Sequence, residues 1–308
     1  MSFDNVPIIY RLPNKKNIIP TGSLFLATLI WGMSFIVMKS SLDLFNPSYI
    51  IAIRFTIAAI VLSLIFIKKW KKCNIKLIVT GLWTGTFLGI AYIIQTYGLK
   101  YTTPGKNAFF TAIYCIIVPF LYWIFTKKKP DVFNIIAVIL TVIGIGLVLL
   151  NVTGGEGAFN IGDLLTLICS IFYALHIVVV NIYAQKYDIY LITIIQFYST
   201  AIIAWIFTLI FEGSPQALSL NTIPQLLYLS ILSSGVGILL QNYGLKYVNP
   251  TQGSLILSLE SVFGVLISII SGYEQEITII KIIGFIIVFI AILISETKLK
   301  FIFKDNKK

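Results

Sequence analysis

The sequence predicts an all-α integral membrane protein whose ten transmembrane helices form two inverted five-helix repeats. Three observations carry this. Of 308 residues, 58% are hydrophobic and only 11% charged, with a mean hydropathy of +0.94, against roughly a quarter charged in soluble domains. Ten apolar stretches each approach the about 20 residues that cross a bilayer. One ten-residue motif occurs twice, about half a chain apart. The spans use up most of the chain, which excludes a large soluble domain.

Taken in order, the first stretch, Thr21–Lys39, follows a polar tail of 20 residues. It is longer than a signal-peptide core and lacks a following A-x-A-like site, so it is expected to remain as a span. The second, Pro47–Ile67, opens on a proline, as helices do where a missing N–H costs least. Leu77–Leu99 and Pro104–Phe125 flank the first copy of the motif, and Pro119 lies deep inside the latter. It predicts either a tolerated kink or a hinge. Asp131–Asn151 leads to Gly154-Gly155-Glu156-Gly157, the natural boundary between halves. Beyond it come Gly162–Ala184, Ile189–Phe211, Ile223–Gln241, Thr251–Ser271 and Ile277–Ile294. Runs of this length are helices, because spanning strands are nearer ten residues and alternate in polarity. The expected organisation is a tail at 1–20, a first repeat at 21–151, a linker at 152–161, a second repeat at 162–296 and a basic tail at 297–308.

Charge then orients the chain. With the N-terminus inside, the cytoplasmic segments hold Arg11, Lys15, Lys16, Lys68, Lys69, Lys71, Lys72, Lys76, Lys127 to Lys129, Lys186, Lys246 and the five lysines from Lys298 to Lys308. The outer segments hold only Lys39, Lys100, Lys106 and Lys281, and Glu156, Glu212, Glu274 and Glu276 face outward. The asymmetry predicts a multi-pass protein of the cell membrane with both termini cytoplasmic. It excludes a nucleic-acid partner, since the basic residues are split among short loops rather than gathered on one face. Cys73, Cys115 and Cys169 have neither CxxC nor Cys/His spacing, so no disulfide, metal or other cofactor is expected.

The repeat is read from Gln95-Thr-Tyr97-Gly98-Leu99-Lys100-Tyr101-Thr-Thr-Pro104 and Gln241-Asn-Tyr243-Gly244-Leu245-Lys246-Tyr247-Val-Asn-Pro250, which share seven of ten residues at an offset of 146. A second echo sets Arg54-Phe55 and Ala59-Ile60 against Gln196-Phe197 and Ala201-Ile202 at an offset of 142. Five helices per unit is an odd number, so the second copy enters the membrane the other way up. Inverted repeats recur in secondary transporters, because exchanging the shapes of two halves gives one conformation open to each side.

Several short patterns, in this order and spacing, add a family resemblance. They are Trp31-Gly32 in the first helix, Gly98-Leu99-Lys100-Tyr101-Thr102-Thr103-Pro104-Gly105, Gly162-Asp163-Leu164-Leu165 opening the sixth, Leu259-Glu260-Ser261-Val262-Phe263 in the ninth and Gly272-Tyr273-Glu274 before the tenth. Together they resemble the EamA group of the drug/metabolite transporter superfamily, from about Thr21 to Glu296. The resemblance implies two five-helix repeats around a central cavity and export of small metabolites such as amino acids. Members often have proline after the glutamate of the ninth helix. Ser261 stands there, which puts any kink at that point in question.

Few polar groups lie deep enough to act on a substrate. An ionisable side chain near the bilayer centre costs about 2.5–3.5 kcal/mol on insertion scales, so each is expected to face the bundle interior. Arg54 is either a fixed positive charge for a substrate carboxylate or a snorkelling arginine. Glu260, the acid nearest the middle of a span, is the proton-coupling candidate, a partner for a cationic substrate, or a structural partner of Arg54 or a hydroxyl. Ser254, Ser258 and Ser261 make a stripe at helical spacing, with Ser258 a candidate contact or part of a packing face. His176 serves either a proton relay or an interhelical hydrogen bond. Gln95 with Gln241, and Arg54 with Gln196, occupy matched positions in the two halves and so line gates or hold each repeat together. Trp31, Tyr92, Tyr114 and Tyr173 offer stacking or hydroxyl contacts to an organic substrate.

These readings predict a secondary-active, alternating-access exporter of a small organic metabolite, an amino acid or a related compound, coupled to protons. A facilitative permease without ion coupling and a membrane-embedded lipid- or sugar-modifying enzyme are the alternatives. No GxxxxGK[ST] loop occurs for nucleotide hydrolysis, and an enzyme would need converging acids, histidines or a metal motif. No charged ring or filter-like sequence favours a channel. The expected partners are the small-molecule substrate and the lipid bilayer, with the chain a monomer or a homodimer.

Overall fold

The computed structural model describes residues 18–150, 159–213, 220–273 and 278–297. The glycine-rich linker, Glu274, Glu276 and the charged tails therefore lie outside the described residues. Among those described there is no strand. Eight helices are long and apolar enough to cross a membrane: α1 (Ile18–Ser41), α2 (Pro47–Ile65), α3 (Ile75–Tyr101), α4 (Pro104–Thr126), α6 (Ile161–Ala184), α7 (Ile189–Glu212), α8 (Ile223–Tyr247) and α9 (Pro250–Ile270). Two further apolar helices, α5 (Val132–Leu150) and α10 (Ile279–Thr297), pack against each other.

Local chemistry sets the helix starts. Pro47, Pro104 and Pro250 stand in the first turns of their helices. Asn74 and Thr103 accept the N–H groups of Leu77 and Lys106, and Asn160 and Asp163 form a reciprocal capping box at the start of α6. Such caps satisfy amides that have no partner within the helix.

Three expectations are corrected. The eighth helix does not stop near Gln241 but runs to Tyr247, burying Gln241 and Asn242 on its inner side. It is also not uniform: residues Tyr228–Gly237 form a π-helix, whose wider turns re-aim side chains. The fourth and ninth helices are broken in mid-course, at Ile113 and Ser258, into Pro104–Ala112 with Tyr114–Thr126 and Pro250–Leu257 with Leu259–Ile270. Pro119 is not the break, since it lies inside the unbroken segment Tyr114–Thr126. The ninth helix breaks without a proline after Glu260. The two breaks fall within one residue of the 146-residue offset, so they belong to the repeat rather than to either sequence alone.

Contacts between helices follow the same exchange of halves. The end of α3 packs on the start of α6, and the end of α8 on the start of α1. A Cβ at Gly98 would lie 2.5 Å from Thr166 Oγ1 and 2.9 Å from the Gly162 carbonyl. One at Gly244 would lie 2.5 Å from Leu24 Cγ and 2.9 Å from the Pro20 carbonyl. Only glycine allows backbones this close, the usual device where apolar surface alone gives helices no reason to associate.

The ends of the bundle are tied by polar side chains. At one end Lys39 Nζ donates to the carbonyls of Leu99 (2.8 Å) and Thr102 (2.7 Å). Beside it Lys106 and Asp163, both buried, lie 3.5 Å apart, and the Thr102 hydroxyl donates to Asp163 at 2.6 Å. At the other end Asn181 donates to the Leu245 carbonyl and Gln185 to that of Lys246, each at 2.6 Å, and Gln252 to that of Ser295 at 2.9 Å. Lys69 meets Asp188 at 2.7 Å there. Burial alone would raise the Asp188 carboxyl, but Lys69 and the N–H groups of Tyr190 and Leu191 hold it below the usual range.

Candidate functional site

A narrow cavity, with about 50 Å³ of space for water-sized spheres, lies where α1, α2, α3, α4, α6, α8 and α9 converge. Eight of the residues singled out from the sequence line it: Trp31, Arg54, Tyr92, Gln95, Tyr114, Tyr173, Gln241 and Glu260.

Arg54 is almost fully buried, at 1% exposure, and does not snorkel. Its Nε donates to Ser234 Oγ at 2.7 Å and its Nη2 to Ser233 Oγ at 2.8 Å. Both serines sit on the π-helical stretch of α8, where the widened turn presents adjacent side chains to one partner. Ser233 is fixed in turn by the Ser34 hydroxyl at 2.8 Å and, through its carbonyl, by Trp31 Nε1 at 3.1 Å. The guanidinium carbon also stands 4.8 Å from the centre of the Tyr92 ring. A buried charge is costly unless hydrogen-bonded. Neutral hydroxyls hold this one in place and leave its charge uncancelled.

Glu260, 5% exposed, sits in the first turn of the second segment of α9, where the helix dipole favours a carboxylate. It makes no ion pair with Arg54 among the described residues, and its Oε1 has no hydrogen-bond partner. Tyr114 opens the second segment of α4, and its buried hydroxyl lies near the Glu260 carboxyl without closing a hydrogen bond of good geometry. The two residues are 146 apart, so they are one position of the repeat seen twice, and both line the cavity. Buried polar atoms in folded proteins are nearly always satisfied. This loosely paired couple at matched positions leaves hydrogen-bonding capacity that a ligand's polar group can take up.

Aromatic edges complete the wall: Phe55 to Tyr92 (5.0 Å between ring centres), Tyr92 to Tyr173 (5.4 Å) and Tyr114 to Tyr173 (6.5 Å). Gln95 binds across the helices, accepting from Tyr173 Oη at 2.7 Å and donating to Thr111 Oγ1 at 2.9 Å. Gln241 donates to its neighbour Asn242 at 3.3 Å, and Asn242 donates to Thr193 at 2.9 Å.

Three of the sequence candidates do not line this cavity. His176 is fully buried with Nε2 3.2 Å from Gln196 Oε1, while His176 Nδ1 and Gln196 Nε2 lack partners. Ser258 lies at the break in α9 and bonds the Leu255 carbonyl of its own helix. Ser254 and Ser261 bond their own helix in the same way, so the stripe is turned inward on the backbone. No three metal-ligating side chains cluster among the described residues.

Sequence reasoning missed Ser34, Ser233, Ser234, Asn107 and Thr111. Ser233 and Ser234 precede Gly235 and Gly237 in an otherwise apolar helix, and that paired-serine signal was available. Asn107, fully buried, donates to the Gln95 carbonyl and to Thr166, and its Oδ1 has no partner. It follows the first motif by three residues, at a helix start where an amide reads as capping rather than lining.

Comparison with known proteins agrees with this architecture. An uncharacterized transporter of Archaeoglobus fulgidus is 29% identical over 276 residues, covering 89% of this chain and 85% of the relative. Two uncharacterized transporters of Bacillus subtilis, YrdR and YoaV, are 25% and 23% identical, covering 92% and 85% of this chain and 93% and 91% of their own lengths. A solved crystal structure superimposes with a TM-score of 0.75 at 16% identity, over 92% of this chain and 98% of the other, and so shares the fold. The EamA-like transporter family matches residues 21–150 and 160–297, one copy to each repeat. This multi-pass membrane protein, with its duplicated helical unit around a polar cavity, belongs to the EamA-like transporter family.

Proposed function

We propose that the chain is a secondary transporter that exports a small amino acid or related metabolite by alternating access, coupled to protons through Glu260. In this reading all ten helices span the cell membrane as two inverted repeats, with both termini cytoplasmic. Support comes from the end-to-end contacts. Helix α3 ends where α6 begins, α8 ends where α1 begins, and the lysine-rich loop at Lys69 meets Asp188 beside the end of α6. The excess of basic residues in those segments favours the cytoplasmic side.

The observation that carries the mechanism is one cavity holding a buried arginine and a buried acid that form no ion pair with each other among the described residues. Arg54, fixed by Ser233 and Ser234, is shaped for a carboxylate, as charged hydrogen bonds of this kind roughly double in strength over neutral ones. Glu260 and Tyr114 then receive the ammonium or a proton, and the aromatic edges close around the remainder. Intramembrane acids of this kind mark proton and substrate pathways. One chain supplies the whole lining, so a monomer suffices and a homodimer would hold two cavities.

The test is flux into liposomes carrying the purified protein, across amino acids and related metabolites, with and without a pH gradient. Accumulation is expected to follow the gradient, and Glu260→Gln is expected to abolish that dependence while leaving exchange. Gradient dependence unchanged in Glu260→Gln would remove the acid from coupling. Equal affinity for acid and ester forms of the substrate would remove Arg54 from carboxylate binding.

A further inference from the structure

A second opening lies away from the central cavity, on the flank of the bundle between the second segment of α4 and helix α5. It offers about 340 Å³ and its walls are almost wholly apolar, with Ile116, Pro119 and Phe120 on one side and Ile139 and Val142 on the other. Pro130 lies at its mouth. From Val132 at the start of α5 to Ile143 is twelve residues, or roughly 16–18 Å at 1.5 Å per residue. That is about the depth of one leaflet's hydrocarbon. The dimensions suit a lipid tail lying along the helices.

What stands at the mouth is charged. Lys127, Lys128 and Lys129, all exposed, immediately precede Pro130. Lys127 adopts φ 59°, the one non-glycine residue with positive φ among those described, at a helix end where glycine is the usual occupant. The left-handed turn ends α4, and the lysines lead directly into Pro130, which lines the groove. Lys129 Nζ stands 5.8 Å from the centre of the Trp123 ring, and a partly exposed tryptophan here has the position that aromatic rings take at headgroup level. Asp131, the neighbouring acid, accepts the Asn134 N–H at the start of α5, and three lysines against one aspartate leave the segment 127–131 positive.

Between lipid tails and apolar helices there is no hydrophobic preference, as both are equally apolar. Any selectivity must therefore come from the headgroup. Basic side chains at the membrane surface attract anionic lipids and do not attract zwitterionic ones equally. We propose that the α4–α5 groove is a binding site for an anionic phospholipid, with one acyl chain between the helices and its phosphate on Lys127, Lys128 and Lys129. The proposal rests on the membrane placement of α4 and α5 and not on what the central cavity transports.

The experiment is native mass spectrometry of the purified full chain, incubated with equal amounts of phosphatidylglycerol and phosphatidylcholine bearing identical tails. Retention of phosphatidylglycerol over phosphatidylcholine by about tenfold or more is expected. The triple variant Lys127→Gln, Lys128→Gln, Lys129→Gln is expected to lose that preference. Ile139→Trp, which fills the groove and leaves the lysines intact, is expected to lose the bound lipid altogether, with an unchanged elution volume showing that it still folds. Equal retention of both lipids by the unaltered chain would overturn the proposal, as would a preference that survives in the triple variant. A chain dimer abolished by Ile139→Trp would overturn it too, because a second copy would then be the occupant. None of these readings involves flux, so a chain that retains phosphatidylglycerol yet moves no substrate overturns the transport reading alone.

Discussion

Arg54 and Gln196 stand at one position of the repeat, 142 residues apart, and their surroundings have diverged in opposite directions. Around Arg54 lie Ser233, Ser234 and, behind them, Ser34. Around Gln196 the residue matching Ser34 is His176, and those matching the serine pair are Phe87 and Leu88. The charged member is therefore held by two direct hydrogen bonds, while the neutral pair shares one long contact and leaves Nδ1 of one and Nε2 of the other unpartnered. A duplicated scaffold repeats the positions but not the chemistry. A buried guanidinium demands a complete hydrogen-bonding shell, whereas a buried amide and a neutral imidazole survive an incomplete one.

Moving the charge breaks the comparison most severely. Gln196→Arg places a guanidinium where hydrocarbon replaces the serines, and an uncompensated buried charge costs about 3–5 kcal/mol. Loss of folded protein, followed by thermal unfolding in detergent, is the expected result. Adding Phe87→Ser and Leu88→Ser is expected to restore part of it, and wild-type stability in the single variant would show that the shell is unnecessary. Removing the shell instead sharpens the point from the other side. Ser233→Ala with Ser234→Ala strips two acceptors from Arg54, each worth about 1–3 kcal/mol when a buried partner is left unmade. A combined stability loss of about 2–6 kcal/mol is expected, together with weaker binding of acidic substrates. The smallest effect belongs to the neutral pair: His176→Leu with Gln196→Leu removes both polar groups and should change stability by less than about 1 kcal/mol, in either direction. A large loss on unfolding would mean that the pair holds something more than itself.

Much of the fold was legible because bilayer physics is simple to read. Apolar runs of the right length, prolines at helix starts and the twice-written Gln-x-Tyr-Gly-Leu-Lys-Tyr motif located nearly every helix and the repeat. The breaks at Ile113 and Ser258 were not legible, since neither residue disfavours helix and the visible breaker, Pro119, lies six residues beyond the first of them. The cavity was legible in its charged and aromatic members, because isolated ionisable groups within apolar runs must turn inward. Its serines, threonine and asparagine were not. In a helix that is apolar all round, periodicity does not say which face looks inward, and a local π-helix shifts the facing of every residue after it. His176 shows the converse: a rare residue type draws attention whether or not it reaches the cavity.

The seams at Gly98 and Gly244 have a consequence for the energy of the whole molecule. Each packs by the same means, glycine against the first turns of a neighbouring helix, so in the alternating-access reading the scaffold by itself gives no strong preference for either end shut. Both seams carry added polar ties, but among the described residues the fully buried ion pair stands at one of them. Lys106 and Asp163 meet beside Gly98, while at the matched positions beside Gly244 the chain has Gln252 and Thr21. If the chain alternates as proposed, a single buried ion pair at one rim is a set-point. The resting population then belongs to a few atoms at one rim, and a one-residue change there could reset it without touching the cavity.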